Sequence, residues 1–342
     1  MTKKFKVAVA GCGGMANTWV KYAGERTDTE IVALVDIDPD NIKKMAEKHN
    51  LDQAQTFSEL KRAINETNPD LVFDITPPEV HYNIVTTALN EGCNVLGEKP
   101  MASSFEQAKE MVALAEKTGN MYAVMQNRRY LHDIRAYRDL IDSGVIGKPG
   151  FITADFFIGA HFKGFRTEME SPLILDMAIH TFDQARLIMD ADPVSVYCHE
   201  FNPEGSWYDG DAAAVCTFEF DNGSVFSYRG SWCAEGAQTS WESSWRVTGS
   251  KGSAIWDGHN KPYAEVVKES DEEKFMNDYN TIEAEYNWEG REGHEGCLDE
   301  MFTALKENRK AETDCTDNIK SMAMVFGAIE SSRKEKKIDI EI

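Results

Sequence analysis

Short apolar runs alternate with longer stretches of helical periodicity through the first third of the chain. Val7-Ala-Val-Ala10 has the composition of a strand and is closed by Gly11, after which Trp19 and Tyr22 fall on one face of a helical repeat. Glu30-Ile-Val-Ala-Leu-Val35 predicts a second strand. The same reading predicts helices over 41–49, 58–65, 79–90 and 105–117, and strands over 71–75, 94–96 and 121–125. Strand and helix units repeated in this way imply a parallel, doubly wound sheet, whose ligands lie beyond the carboxyl ends of the strands.

Beyond Gly150 the rhythm changes. Strand-like runs over 151–158, 193–198, 212–220, 224–232, 245–248 and 252–256 follow one another, Thr217-Phe-Glu-Phe220 alternates with period two, and Asp221-Asn-Gly223 reads as a hairpin turn. A mostly antiparallel sheet follows. Two apolar-periodic stretches, 297–306 and 319–331, are expected to be helices that return across the domain boundary. The expectation is an α/β protein of two domains, 1–125 and 126–342, with the C-terminal helix packing back on the first. No tandem repeat is visible.

A length of 342 residues suits two cores rather than one. The 36 basic and 58 acidic residues give a formal charge of −22, which repels nucleic acid and anionic membranes. The apolar run before Gly11 is too short for a secretory signal or a membrane span. Seven cysteines, at 12, 93, 198, 216, 233, 297 and 315, form no C-x-x-C pair and no zinc-type spacing. They read as reduced thiols of a cytoplasmic protein, and no metal is expected.

Against this background three motifs carry chemistry. Gly11-Cys12-Gly13-Gly14-Met15-Ala16 sits between a strand and a helix, where such a turn lets backbone N–H groups reach a pyrophosphate. Asp36 ends the next strand, placed to accept both ribose hydroxyls and to repel a 2′-phosphate. With Ile37 following and no basic residue before Lys43, NAD is favoured over NADP. Thr76, Pro77, His81, Glu98, Lys99 and Asn127 lie at or just past strand ends, on the expected cofactor rim. Glu98-Lys99-Pro100 holds a lysine beside a carboxylate, suited to stabilising an alkoxide; a surface salt bridge is the plainer alternative. In Ser171-Pro-Leu-Ile-Leu-Asp176-Met-Ala-Ile-His180-Thr-Phe-Asp183, Asp176 and His180 stand four apart in a helical pattern. A carboxylate one turn before an imidazole can fix its tautomer for general-base work, or simply bond a structural histidine.

Together with Asn127-Arg128-Arg129-Tyr130, these motifs resemble the Gfo/Idh/MocA oxidoreductases over nearly the whole chain. The resemblance implies an N-terminal Rossmann domain followed by an α/β domain with a large, mostly antiparallel open sheet whose exposed face supports a homodimer or homotetramer. It assigns Lys99, Asp176 and His180 to the catalytic set, implies a cis bond between Lys99 and Pro100, and gives Asp183 to the helix or a neighbouring backbone group. Arg128 matches a position that lines a sugar pocket. One of the two adjacent arginines must point away, and the sequence leaves open which. Ala178 departs from the glycine of many relatives, and Gln126-Asn127 varies among them.

The reading that follows is NAD-dependent oxidation of a secondary hydroxyl on a sugar or inositol-like polyol, His180 acting as base and Lys99 polarising the oxygen. His161 and Arg166, in the segment ahead of Asp176, are further substrate-binding candidates. Trp207, Tyr208, Trp232, Trp241 and Trp245 offer flat surfaces that suit a sugar face or, more commonly, a core. Two alternatives use the same scaffold: an NAD-dependent redox-assisted glycosidase, and a non-catalytic NAD-sensing regulator.

Overall fold

The computed structural model describes residues 4–270 and 274–342. The chain divides into two compact units, one running to Asn127 and including Arg291–Met322, the other comprising Arg128–Gly290 and the residues from Ala323 onward. Residues 291–322, counted in the second domain from the sequence, therefore belong to the first unit.

In the first unit, β1 (Phe5–Ala10), α1 (Ala16–Glu25), β2 (Thr29–Val35), α2 (Pro39–His49), β3 (Gln55–Phe57), α3 (Leu60–Thr67), β4 (Leu71–Asp74), α4 (Pro78–Asn90), β5 (Asn94–Gly97), α5 (Phe105–Thr118) and β6 (Tyr122–Val124) alternate along the chain. The strands form a six-stranded sheet in the order β3-β2-β1-β4-β5-β6, and every recorded pair is parallel. Helices on both faces bury a parallel sheet, which is why its central strands read as unbroken apolar runs: Val7, Ala8 and Val9 of β1 and Leu71, Val72 and Phe73 of β4 have no exposed surface. The order reverses between β1 and β4, the crevice where ligands of such sheets bind.

The returning segment is tied to this unit by chemistry that the sequence spacing did not reveal. Helix α9 (Gly293–Glu307) packs on α1. Arg26 Nη1 donates to Asp299 Oδ1 at 2.8 Å, and its guanidinium lies 4.5 Å from the ring centre of Phe302. Val124 N donates to the Thr313 carbonyl at 3.0 Å, extending the pairing at the β6 edge.

The second unit holds α6 (His132–Asp142), β7 (Pro149–Phe157), the short α7 (Phe165–Glu168), α8 (Ile179–Met189), and strands β8 (Pro193–Phe201), β9 (Ala213–Phe220), β10 (Val225–Ser231), β11 (Ser244–Gly249), β12 (Gly252–Trp256), β13 (Tyr263–Val267) and β14 (Tyr279–Glu283). After α10 (Cys315–Lys334), whose later part belongs to this unit, β15 (Ile338–Asp339) completes a nine-stranded sheet, ordered β14-β13-β12-β11-β7-β10-β9-β8-β15. Its recorded pairs are antiparallel except β10 with β7. The expected hairpin closes through Gly223, at φ +82°, with Gly223 N donating to the Phe220 carbonyl at 3.0 Å. One face of this sheet carries the core. Phe182 of α8 meets Phe218 and Tyr228 edge-on at 4.8 and 5.2 Å between ring centres, the arrangement aromatic quadrupoles favour.

Candidate active site

The glycine turn lies where the first strand feeds the first helix. Gly11 takes φ +89°, and a Cβ there would stand 2.5 Å from the Ile75 carbonyl oxygen, so only glycine lets the turn pass the end of β4. At Gly13 and Gly14 a Cβ would meet nothing within 4 Å. No side chain caps α1 at Met15, and although Asn17 N and Thr18 N turn back to the Gly14 and Met15 carbonyls at 3.4 and 3.3 Å, the positive end of the helix still favours an anion. Asp36, at the end of β2, accepts from Cys12 N through Oδ2 and from Asp38 N through Oδ1, both at 2.8 Å. Each oxygen keeps further acceptor capacity for a ribose hydroxyl. Ile37 beside it is almost fully exposed and Met15 half exposed, both open to a flat ring.

At the ends of β4 and β5 the structure builds a supporting cluster. Asp74 is fully buried and accepts from the Thr76 hydroxyl at 2.6 Å, while its other oxygen lies 2.9 Å from His81 Nδ1. His81 is 1 % exposed, so it stands behind Thr76 rather than on the rim surface. Burial opposes its protonation, but Asp74, with help from Glu98, raises its pKa on balance. Glu98 accepts from Trp19 Nε1 at 3.2 Å and from Lys99 N at 3.3 Å. Burial pushes its carboxyl upward against the pull of the Lys99 charge. The Lys99-Pro100 bond is cis. Asn127, in the turn after β6, lies 3.4 Å through Nδ2 from His294 Nδ1.

Asp176 and His180 lie in the second unit, at a junction of two helix types. Asp176 is on a π-helical turn, Leu173–Ala178, and His180 is on the α-helix that begins at Ile179, so the uninterrupted α-helix expected from the spacing is not formed. The i→i+5 bonding of a π turn widens the backbone, and such turns recur at functional sites. Both residues are 6 % exposed.

All eleven residues of α8 are buried, so its polar side chains need partners inside the protein, and Asp183 and Gln184 have them. Asp183 receives Arg129 in a two-pronged bond, Nε to Oδ2 at 2.6 Å and Nη2 to Oδ1 at 2.7 Å. Gln184 Nε2 donates to the Arg128 carbonyl at 3.3 Å and to Glu242 Oε2 at 3.2 Å. The two adjacent arginines are held differently. Arg129 is turned into the core, and Asp183 serves it rather than the helix backbone. Arg128 instead donates to the Trp241 carbonyl and stands 3.8 Å from Glu242 Oε1. Burial lowers its pKa while Glu242, Tyr228 and Asp176 offset the effect, which places its charge in the field of Asp176.

Arg166 reaches Asp176 directly, a pairing that spacing alone does not reveal: its Nε donates to Asp176 Oδ2 at 2.6 Å. His161 is mostly exposed, stacked at 3.7 Å on Trp207, with Nε2 2.7 Å from Glu235 Oε1. Among the described residues no group of three or more histidine, cysteine or acidic side chains is arranged to hold a metal ion.

Comparison with known proteins bears directly on this geometry. Residues 5–126 match the oxidoreductase family model with an NAD-binding Rossmann fold, and residues 134–255 match the GFO/IDH/MocA C-terminal domain. The chain belongs to the Gfo/Idh/MocA family of oxidoreductases. It is 30 % identical to the D-glucoside 3-dehydrogenase of Escherichia coli over 64 % of this chain and 68 % of that protein. It is 24 % identical to the D-apiose dehydrogenase of Rhizobium rhizogenes over 98 % of both chains. In fold it matches an oxidoreductase from Agrobacterium radiobacter solved with NAD+, L-tartaric acid and magnesium, with a TM-score of 0.85, 23 % identity and 99 % of each chain covered.

NAD is the cofactor of this family member, and the first unit fits it: an uncapped helix start, two glycines with open space in place of a Cβ, and the Asp36 carboxylate beside them. Sequence reasoning missed Asp74 as the anchor of the Thr76 turn. A buried acid at the end of an apolar strand, seven residues before a histidine, was the available signal. Among the described residues, no helix is long and apolar enough to cross a membrane.

Proposed function

We propose that this protein catalyses reversible NAD-dependent oxidation of a secondary hydroxyl on a sugar or cyclic polyol. Bound NAD supplies the hydride acceptor. Gly11, Gly13, Gly14, Met15 and Ala16 would hold its pyrophosphate, Asp36 and Ile37 its adenosine half, and Thr76, Pro77, His81, Glu98 and Asn127 would form or brace the nicotinamide side. His180 takes the hydroxyl proton. Lys99 donates a hydrogen bond to the same oxygen and stabilises its negative charge as the hydride leaves. Asp176 orients the imidazole and grips a neighbouring hydroxyl, and Arg128, His161 and Arg166 bind the rest of the substrate.

The observation that carries this reading is the burial of Asp176 and His180 together at the head of a helix with no exposed residue, so that neither is free to wander. The sugar dehydrogenases among its relatives support the substrate class. The test is NADH formation by the purified protein with NAD and a panel of inositols, aldoses and sugar acids. Turnover that is lost in His180→Ala, while NAD still binds, is the expected result. NAD binding with no turnover across the panel would overturn the reading and favour the sensor or glycosidase alternatives.

We also infer a homodimer or homotetramer working in the cytoplasm, with neither nucleic acid nor membrane as partner. The outward face of the second sheet supports the association: Tyr197, Phe201, Val215 and Phe151 lie exposed on β8, β9 and β7. Light scattering on the eluting protein measures the mass directly, and a monomer would refute it.

A further inference from the structure

The aromatic side chains of the second unit fall into two populations. Trp232, Trp245 and Tyr208 are 0, 1 and 3 % exposed and belong to the core, whereas Phe162, Phe165 and Trp241 keep 38, 49 and 43 % of their surface open. Single exposed apolar residues mean little, but a group of them rimmed by polar side chains marks a binding surface. Here the group is connected. Phe162 meets Trp241 edge-on with ring centres 6.5 Å apart, and the Arg166 guanidinium carbon lies 5.2 Å from the Phe162 ring centre and 4.6 Å from that of Phe165.

The same guanidinium bonds Asp176 at 2.6 Å. Taken with a delocalised C–N bond of about 1.3 Å, these lengths hold both ring centres to within about 9 Å of the Asp176 carboxylate. Rings no farther off than this can border a group one linkage beyond a sugar ring bound at the proposed site of oxidation. The surroundings have the right polarity for a ring edged with hydroxyls. His161 and Glu235 are paired at 2.7 Å beside Trp207, and Arg128 bonds the Trp241 carbonyl.

We propose that Phe162, Phe165 and Trp241 form a second ring-binding subsite, and that the substrate is a glycoside: the sugar ring that is oxidised carries a further ring, sugar or aryl, one glycosidic bond away. The C–H face of that ring packs on the aromatic surface that Arg166, lying over Phe162 and Phe165, leaves exposed, while Arg166 fixes the register between the subsite and Asp176. An unsubstituted polyol leaves this surface empty. The proposal rests on the dehydrogenase reading for its first ring and adds the second.

The experiment uses the full chain loaded with NAD and compares D-glucose and D-galactose with their phenyl α- and β-glycosides, in the unaltered protein and in Phe165→Ala and Trp241→Ala. At least one phenyl glycoside is expected to exceed its parent sugar about tenfold in kcat/KM, the worth of one good aromatic contact. In each variant that advantage falls below about threefold as the contact is removed. Equal kcat/KM for every glycoside and its sugar, or an advantage that survives both substitutions, overturns the subsite. Calorimetric binding of the same compounds is read in parallel. If none of them yields NADH, the dehydrogenase reading loses its support from these sugars, and the subsite stands or falls on whether a phenyl glycoside binds about tenfold tighter than its sugar.

Discussion

Arg166 donates from Nε to Oδ2 of Asp176 at 2.6 Å, so the acid proposed to steer His180 is itself steered by an arginine ten residues earlier in the chain. Charge-assisted bonds of this length are strong and directional. The carboxylate is 6 % exposed, a poorly solvated place in which a bonded cation offsets the lost water. The second role proposed for it, gripping a substrate hydroxyl, would then depend on the acceptor capacity that Arg166 leaves.

The roles divided between Asp176 and His180 separate in kinetics. His180→Ala removes the proposed base and is expected to lower kcat by about 10²- to 10⁴-fold with NAD affinity unchanged. Asp176→Asn keeps the shape but drops the charge, and should raise KM as well as lower kcat, because it loses both orientation of the base and part of the substrate grip. Steady-state kinetics with NAD titrated by fluorescence would check both. Full turnover in His180→Ala would remove it from the mechanism.

Much of the architecture was legible because burial and period agree. The parallel sheet could be read from runs such as Leu71-Val-Phe-Asp74, apolar on both faces, and the second sheet from the alternation in β9. Helix α6 escaped notice although Ile134, Tyr137 and Ile141 recur at helical spacing, because His132, Asp133 and Arg135 make its start look like a loop. Strand β14 is the sheet edge, and β13 lies next to it. In β14 no residue is buried, so there was no core face for a pattern to record. The choice between Arg128 and Arg129 could not be made from adjacent positions. What the structure adds is that α8 buries Asp183, which takes Arg129 as its cation. The contacts of Phe162, Phe165 and Arg166 depend on a loop path that periodicity does not encode.

Cofactor choice is expected to turn on Asp36. The carboxylate already anchors the glycine turn through Cys12 N and orders the backbone at Asp38, and a ribose would share its oxygens. Replacing it by alanine removes charge-assisted bonds worth about 1.5–3 kcal/mol each, so kcat/KM for NAD should fall about 10- to 100-fold. The NADP value should fall less or rise, as the repulsion of a 2′-phosphate is gone. An unchanged ratio of the two cofactors would count against the assignment.

The two arginines predict opposite phenotypes. Arg129→Ala takes both short bonds from Asp183, whose side chain is 2 % exposed, while Arg186 Nη1 stays 3.9 Å away, and loss of one partner from such a buried pair costs about 3–5 kcal/mol. Arg128→Ala breaks a bond to the Trp241 carbonyl and a looser 3.8 Å approach to Glu242, so its effect should be mainly on substrate KM. Urea unfolding paired with steady-state kinetics distinguishes them. Comparable loss of stability in both would show that Arg128 is also structural.

Glu200 supplies a pH dependence whose direction can be worked out in advance. Burial pushes its carboxyl from an ordinary 4.5 up to about 7. A hydrogen bond from the Ser171 hydroxyl opposes the shift, Asp211 and Glu170 add to it, and Arg333 works against it. The folded-state value thus lies above the unfolded one, and between about pH 4.5 and 7 the folded protein holds a proton that the unfolded chain has lost. Stability attributable to this group therefore falls as pH rises through that window, and the full penalty, on the order of 3 kcal/mol, applies above it. Glu200→Gln keeps an acceptor for Ser171 and cannot ionise. It should leave stability unchanged below pH 4.5 and raise it increasingly toward pH 8, which unfolding curves at matched ionic strength would show. A variant equally stable or weaker than the parent at pH 8 would mean that the Glu200 carboxylate is better solvated or better paired than its 7 % exposure implies.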